Sequence, residues 1–242
     1  MKILAIGNSF SLDATRYLHQ IARADGEDME VANLYVSGCP LERHFRNMLA
    51  DNREYNLCYN GMTTGFYVSM KEALLNRSWD VVTLQQASRL SFKANSYYPY
   101  INELYDYVKR CVPNAKIVIH QTWAYEQDSA KLTNAGFADH KVMYSELEKA
   151  YALAFEKLGA DGLIPSGAMF QYLLANGFEK IHRDTYHATK GAGRYALGLL
   201  WYRLLTGRSV MGNSFCDFDE GITAEEIGII QNYVEKQKPL LA

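Results

Sequence analysis

A three-layer α/β/α fold around a central parallel sheet, flavodoxin-like in topology, is the fold class this sequence predicts. Three observations lead there. Short apolar runs of strand length alternate with longer segments whose apolar residues recur every three or four positions. Strands separated by helices make βαβ units, which need a parallel sheet covered on both faces and right-handed crossovers. No repeat, linker or low-complexity block interrupts the 242 residues, so residues 1–242 read as one domain. A chain of this length buries ~70–75% of its unfolded surface and needs no disulfide or metal staple.

KILAIG (2–7) is the first strand. Ser11 or Asp13 offers an N-cap for the next helix, where Ala14, Tyr17, Leu18, Ile21 and Ala22 take helical spacing. MEVANLYV (29–36) is the second strand, broken by Gly38, Cys39 and Pro40 before a helix that runs to Ala50. Residues 54–60 and 63–68 alternate around Gly61 and predict a small hairpin. A helix over 69–77 leads into WDVVTLQQ (79–86), the third core strand. Tyr97 to Cys111 is helical, with Pro113-Asn114 as its stop, and AKIVIH (115–120) is the fourth strand. A long helix over 138–158 closes at Gly159, GLIPSG (162–167) supplies a fifth strand, and a helix follows to Asn176. Thr189 to Thr206, ending at Gly207, and Thr223 to Lys238 are the last two helices.

Charge excludes two classes of partner. Twenty-five Lys and Arg stand against 27 Asp and Glu, a formal charge of -2, without the basic stripe of a nucleic-acid binder or the polybasic face of a membrane-surface protein. No run approaches a membrane span. The four cysteines, Cys39, Cys58, Cys111 and Cys216, are scattered and form no C-x-x-C pair, which argues against a zinc or redox site and fits reduced thiols. The opening apolar run, Ile3 to Ile6, is too short for a signal-peptide core. A cytoplasmic protein is the expectation.

In parallel α/β sheets ligands bind outside the carboxyl ends of the strands. Those positions hold Gly7-Asn8-Ser9-Phe10-Ser11, Ser37-Gly38-Cys39, Gln85-Gln86-Ala87-Ser88 and Gln121-Thr122-Trp123, with Asp184-Thr185-Tyr186-His187 before the penultimate helix. Ser9 sits at a strand-to-helix turn, where its hydroxyl faces the crevice. A serine needs a base to become a nucleophile, and His187 can be that base. Asp184 lies three residues earlier, on the same face of a helical turn, where it can orient the ring. Backbone N–H groups of Ser9 and Gly38 are candidate oxyanion donors, with the Gln86 amide as a third and Gln85 as its substitute. Asn8, Phe10, Trp123, Tyr125 and Tyr186 are the candidate substrate contacts, and of these Trp123 and Tyr125 are aromatics able to stack on a sugar ring.

In this order of blocks the chain resembles the SGNH/GDSL hydrolase superfamily from Lys2 to about Thr206, and within it a branch labelled as a domain of unknown function. Gly7-Asn8-Ser9 matches the nucleophile block with Asn in place of Asp. Gly38 matches the oxyanion glycine, and Asp184 and His187 match the closing Asp-x-x-His. The third block, Gly-x-Asn-Asp in the family, reads Leu84-Gln85-Gln86-Ala87-Ser88 here, so its oxyanion asparagine is missing. The resemblance implies an SGNH-type serine esterase that uses a Ser-His-Asp triad on small-molecule or carbohydrate esters, often acetyl esters, with no cofactor and no metal.

Other patterns compete. Gly191-Ala192-Gly193-Arg194-Tyr195-Ala196 fits a dinucleotide fingerprint but follows no strand, so close helix packing is the expectation. His182, Asp184 and His187 make a sparse metal set. Cys39 reads as a small buried residue. Two non-catalytic readings stand beside the esterase. One is a flavin or phosphate binder that uses Asn8-Ser9-Phe10-Ser11 and Thr15 at a helix N-terminus. The other is a degenerate hydrolase that binds sugars without turnover.

Overall fold

Seven strands lie in residues 1–241, the part of the chain that the computed structural model describes. They are β1 (Lys2–Gly7), β2 (Glu30–Tyr35), β3 (Tyr55–Tyr59), β4 (Met62–Val68), β5 (Val81–Leu84), β6 (Lys116–Gln121) and β7 (Gly162–Pro165). They form one sheet in the order β4-β3-β2-β1-β5-β6-β7. Strands β2, β1, β5, β6 and β7 are parallel, in the doubly wound order that the alternation of strands and helices predicts. The hairpin β3–β4 is not a separate flap. It pairs antiparallel with β2 and extends the sheet at that edge, so the sheet is mixed. Its alternating polar and aromatic residues suit strands that face solvent, and β4 is exposed along almost its whole length.

Alternate residues of each central strand feed two cores. Ile3 and Ala5 point to one, Leu4 and Ile6 to the other. The first core is closed by α1 (Ser9–Thr15), α2 (Leu18–Ala24), α8 (Ser166–Ala175), α9 (Ala192–Thr206) and α10 (Ala224–Glu235). The second is closed by α3 (Leu41–Ala50), α4 (Met70–Leu75), α5 (Tyr100–Cys111) and α7 (His140–Leu158). Each fully buried aliphatic or Phe side chain contributes roughly 1.5–3 kcal/mol, and both faces of the sheet are filled with them. Among the described residues no helix is long and apolar enough to cross a membrane.

Local chemistry moved several element ends. Asn8, not Ser11 or Asp13, caps α1, its side chain accepting the Phe10 N–H. Ser11 and Asp13 are instead buried inside the helix. Helix α5 begins at Tyr100, because two short 3-10 turns at 88–90 and 94–96 occupy the chain before Pro99. An additional short helix, α6 (Ala130–Asn134), is capped by Ser129. The glycines of the dinucleotide-like motif serve packing. Gly191 precedes α9 tight against the Glu220 carbonyl, and Gly193 lies against Ala188. Further along α9, a Cβ on Gly198 would stand 2.7 Å from Ile21 Cδ1 and 3.6 Å from the Leu18 backbone, so a side chain there would have to displace the end of Ile21 on α2.

His44, His120 and His182 are buried. Burial pushes His44 and His120 down to about 3 and His182 to about 4, from an ordinary value of 6.5. The unfolded chain takes up these protons near its ordinary value while the native chain resists them, so stability falls as pH drops from about 6.5 toward 4. Urea unfolding compared at about pH 7 and about pH 5 is expected to show a loss on the order of 1 kcal/mol per histidine per pH unit. An unchanged unfolding free energy would contradict the neutral burial of these rings.

Candidate active site

The turn after β1 is built by side chains that reach across the strand ends. Asn8 is 1% exposed. Its Oδ1 accepts from Phe10 N–H at 3.0 Å and from Gln85 Nε2 at 2.8 Å, and its Nδ2 donates to the Cys39 carbonyl at 3.1 Å. The Asn8 amide thus ties the ends of β1, β2 and β5 together, a structural role beside the expected one of substrate contact, and the residue also lines the crevice. Gly7 makes room for this crossing: a Cβ there would lie 2.6 Å from Ser11 Oγ and 2.9 Å from Gln85 Cδ.

The two glutamines are buried and turned away from the crevice lining. Gln85 donates to Asn8, so its Oε1 accepts from His120 Nδ1 at 2.7 Å, and His120 Nε2 then accepts from Ser166 Oγ at 3.1 Å. This buried chain of donors runs in one direction and uses a neutral imidazole. Gln86 Oε1 accepts from Leu41 N–H at 3.0 Å and Ala87 N–H at 2.8 Å, while its Nε2 donates to the Ser96 carbonyl at 3.0 Å. Neither Gln86 nor Gln85 presents an amide to the crevice, which corrects the expected third oxyanion donor.

Ser9 opens α1 and meets the loop before α9. Its Oγ lies 2.7 Å from His187 Nε2, and His187 Nδ1 lies 2.7 Å from Asp184 Oδ2. The two loop residues do not share a helical turn as the spacing suggested. Asp184 Oδ1 accepts the His187 backbone N–H at 2.9 Å, closing an Asx-type turn with Thr185 at φ +73, in the left-handed region. One carboxylate therefore shapes the loop and holds the ring. Burial raises the Asp184 carboxyl, but hydrogen bonds from the His187 ring and backbone outweigh it and hold the group below the ordinary carboxylate range.

Asp13, four residues after Ser9 on α1, was not singled out as a site residue. It is fully buried. Its carboxylate accepts from Arg183 at 2.9 Å, from Arg194 Nε at 2.8 Å and from the Ala188 N–H at 3.2 Å. Arg183 and Ala188 flank the Asp184–His187 turn, so the helix that carries Ser9 grips that turn from both sides. The available signal was an aspartate inside an otherwise apolar helical stripe.

The crevice above Ser9 measures about 200 Å³ and includes Gly38, Ser88, Arg89, Tyr125, Tyr186 and His187 in its lining. The Ser9 N–H, first in its helix, and the Gly38 N–H donate to no protein acceptor among the described residues. Gly38 has φ +56, and Arg89 Nη1 donates to its carbonyl at 2.7 Å. Phe10 forms part of the crevice wall, its ring 4.2 Å from Trp123 and 5.8 Å from His187. Trp123 is 0% exposed and donates Nε1 to the Tyr186 carbonyl, so it supports the wall and contacts no substrate, against expectation. Tyr125 donates its hydroxyl to Ser88 Oγ at 3.1 Å. Tyr186 has its ring 3.9 Å from the His187 ring and 3.4 Å from Lys131 Nζ.

Competing uses of these residues meet obstacles. Ser11 Oγ lies 2.8 Å from the Asn8 carbonyl and Thr15 Oγ1 lies 2.8 Å from the Ser11 carbonyl. Both hydroxyls are buried in the chain's own bonds and cannot cradle a phosphate. His182 Nε2 sits 3.0 Å from the Ala124 carbonyl, and among the described residues no group of three His, Cys, Asp or Glu is arranged to hold a metal. Burial pushes the Cys39 thiol up to about 12. What the arrangement offers chemically is an imidazole placed to take a hydroxyl proton, a carboxylate behind it, and free N–H donors beside it.

Residues 2–233 match the family model described as domain of unknown function DUF4886. No curated protein matches the sequence. Among solved structures, a DUF4886 family protein from Bacteroides uniformis is 32% identical with a TM-score of 0.89, covering 97% of this chain and 93% of its own. A protein from Slackia heliotrinireducens assigned to the SGNH hydrolases is 26% identical with a TM-score of 0.61, covering 82% of this chain and 95% of its own. An acetyl xylan esterase at 12% identity and a TM-score of 0.57 covers 85% of this chain and 100% of its own, a likeness of fold alone.

Replacing Asp13 by Asn would leave two guanidinium groups against a neutral amide inside the protein. Asp13→Asn is expected to lower unfolding free energy by about 3 kcal/mol or more, read by urea denaturation. A variant as stable as the parent would show that the clamp contributes nothing.

Proposed function

This chain belongs to the DUF4886 family and has the SGNH hydrolase fold, and we propose that it is a carboxylic-ester hydrolase with Ser9 as its nucleophile. The observation that carries the reading is the unbroken line from Asp184 through His187 to Ser9, two contacts of 2.7 Å each. Asp184 accepts from Nδ1–H, which leaves Nε2 with the lone pair that the Ser9 proton needs.

In the first half-reaction the Ser9 Oγ–H proton passes to His187 Nε2 as Oγ bonds the ester carbonyl carbon. The carbonyl π pair moves onto its oxygen, where the N–H groups of Ser9 and Gly38 receive it. The pair returns, the carbon–alkoxy bond breaks, and the leaving oxygen takes the proton from His187. Water then repeats the sequence on the acyl-serine, giving the carboxylic acid and free Ser9. A crevice of about 200 Å³ favours a short acyl group. Esters of carbohydrates belong in this reading as one class of leaving group.

With both glutamines committed elsewhere, Ser88 takes the third donor's place. It lines the crevice, and its Oγ accepts from Tyr125, so its own proton is free to point at the oxyanion.

Ser9→Ala is expected to abolish hydrolysis of nitrophenyl acetate and labelling by a fluorophosphonate while leaving the circular dichroism spectrum unchanged. A folded Ser9→Ala protein with full turnover would falsify the assignment. Asp184→Asn should lower kcat by several orders of magnitude, on the order of 10⁴ where the histidine tautomer depends on the carboxylate. Ser88→Ala is expected to lower kcat by roughly 100-fold with KM little changed if it donates to the oxyanion, and a change confined to KM would remove it from the hole.

A further inference from the structure

The crevice over Ser9 does not end at Tyr125. A second cavity of about 680 Å³ adjoins it, and the two share Arg89, Tyr125 and Lys131 in their linings. Lys93 also lines the larger one. The two linings together hold three cations and not one aspartate or glutamate. In a chain whose formal charge is -2, that is a local excess of positive charge beside the nucleophile.

None of the three cations is neutralised within the protein. Among the described residues, every ion pair within 4.0 Å involves other side chains. Their contacts are with uncharged groups. Arg89 donates to the Gly38 carbonyl, Lys93 lies 5.6 Å from the Phe92 ring centroid, and Lys131 lies 3.4 Å above Tyr186 and 5.6 Å from Tyr125. The aromatic rings hold the two lysines at the cavity wall and leave their charge unspent. A concave site lined by one sign of charge raises the local concentration of oppositely charged substrate.

We propose that the ester this protein takes carries an anionic group, seated between Arg89, Lys93 and Lys131 in the cavity beside the Ser9 crevice. The inference rests on the esterase reading and names its substrate class, an anionic ester rather than a neutral one. The anion belongs either to the acyl half or to the alcohol half, and the two are separated by experiment.

Two matched pairs decide this. Nitrophenyl butyrate against mono-nitrophenyl glutarate places a carboxylate on the acyl half. Phenyl acetate against acetoxybenzoate places it on the leaving half. In one pair kcat/KM for the anionic ester is expected to exceed that of the neutral one by about 10-fold or more. The preference should shrink in roughly 0.5 M NaCl, where charges are screened within a few ångströms, and should fall further in Lys93→Gln and Lys131→Gln. Equal kcat/KM within both pairs, or a preference that both lysine variants retain in full, would overturn the proposal while leaving the esterase intact. Absence of turnover on all four esters would instead strike the esterase reading. In that event calorimetric titration of Ser9→Ala with the glutarate and acetoxybenzoate esters still decides: tighter binding than their neutral partners, lost in Ser9→Ala/Lys131→Gln, supports the cationic site, and equal binding refutes it.

Discussion

The buried carboxylate of Asp13 is the constraint on which the candidate site depends. Ser9 and His187 are separated by 178 residues, and a contact of 2.7 Å between them survives only if the two segments move as one body. Asp13 achieves this from inside α1. A carboxylate without water must be matched by cations and N–H groups, and here all three partners belong to the loop before α9 or to the first turn of that helix: Arg183, Ala188 and Arg194. The electrostatic demand of one buried charge thus becomes a geometric specification for the Ser9–His187 pair. Arg194 passes the demand outward to Asp219 and Arg16, which also ties the segment before α10 to α1, the helix that opens with Ser9.

Beneath Ser9 a second device works without charge. Asn8 both donates, to Cys39, and accepts, from Phe10 and Gln85. An aspartate in that place could accept but not donate, and it would bring a charge into a site that is 1% exposed. The asparagine of Gly-Asn-Ser and the glutamine after β5 therefore belong together. Gln85 extends to Asn8 and is in turn braced by neutral His120 and Ser166. Two departures from the pattern of the resembled superfamily, separate in the sequence, are one coupled hydrogen-bonded solution in the fold.

This explains which parts were legible in the sequence. Strand positions were, because runs such as KILAIG and AKIVIH can be buried on both faces only in a covered parallel sheet. The meeting of Ser9, Asp184 and His187 was expected from block order, although the local turn was misread. Spacing of three suggests a helix face, while the structure uses a carboxylate-closed turn with Thr185 left-handed. The fates of Gln85, Gln86 and Trp123 were not legible. Each lies after a strand, where residues reach the crevice or turn inward according to which backbone groups need partners. Leu41 and Ala87 needed an acceptor and took Gln86. Such bookkeeping of orphan N–H groups is fixed only in three dimensions.

Lys131 links recognition of substrate to the chemistry. Its ammonium and the His187 ring pack against the same phenol, Tyr186, at 3.4 Å and 3.9 Å. Both groups rest on one ring, so in the proposed reaction the side chain that would select an anionic ester and the imidazole that would take the Ser9 proton are positioned by the same support. Discrimination between charged and neutral esters and the placing of the base are then not independent properties of this site.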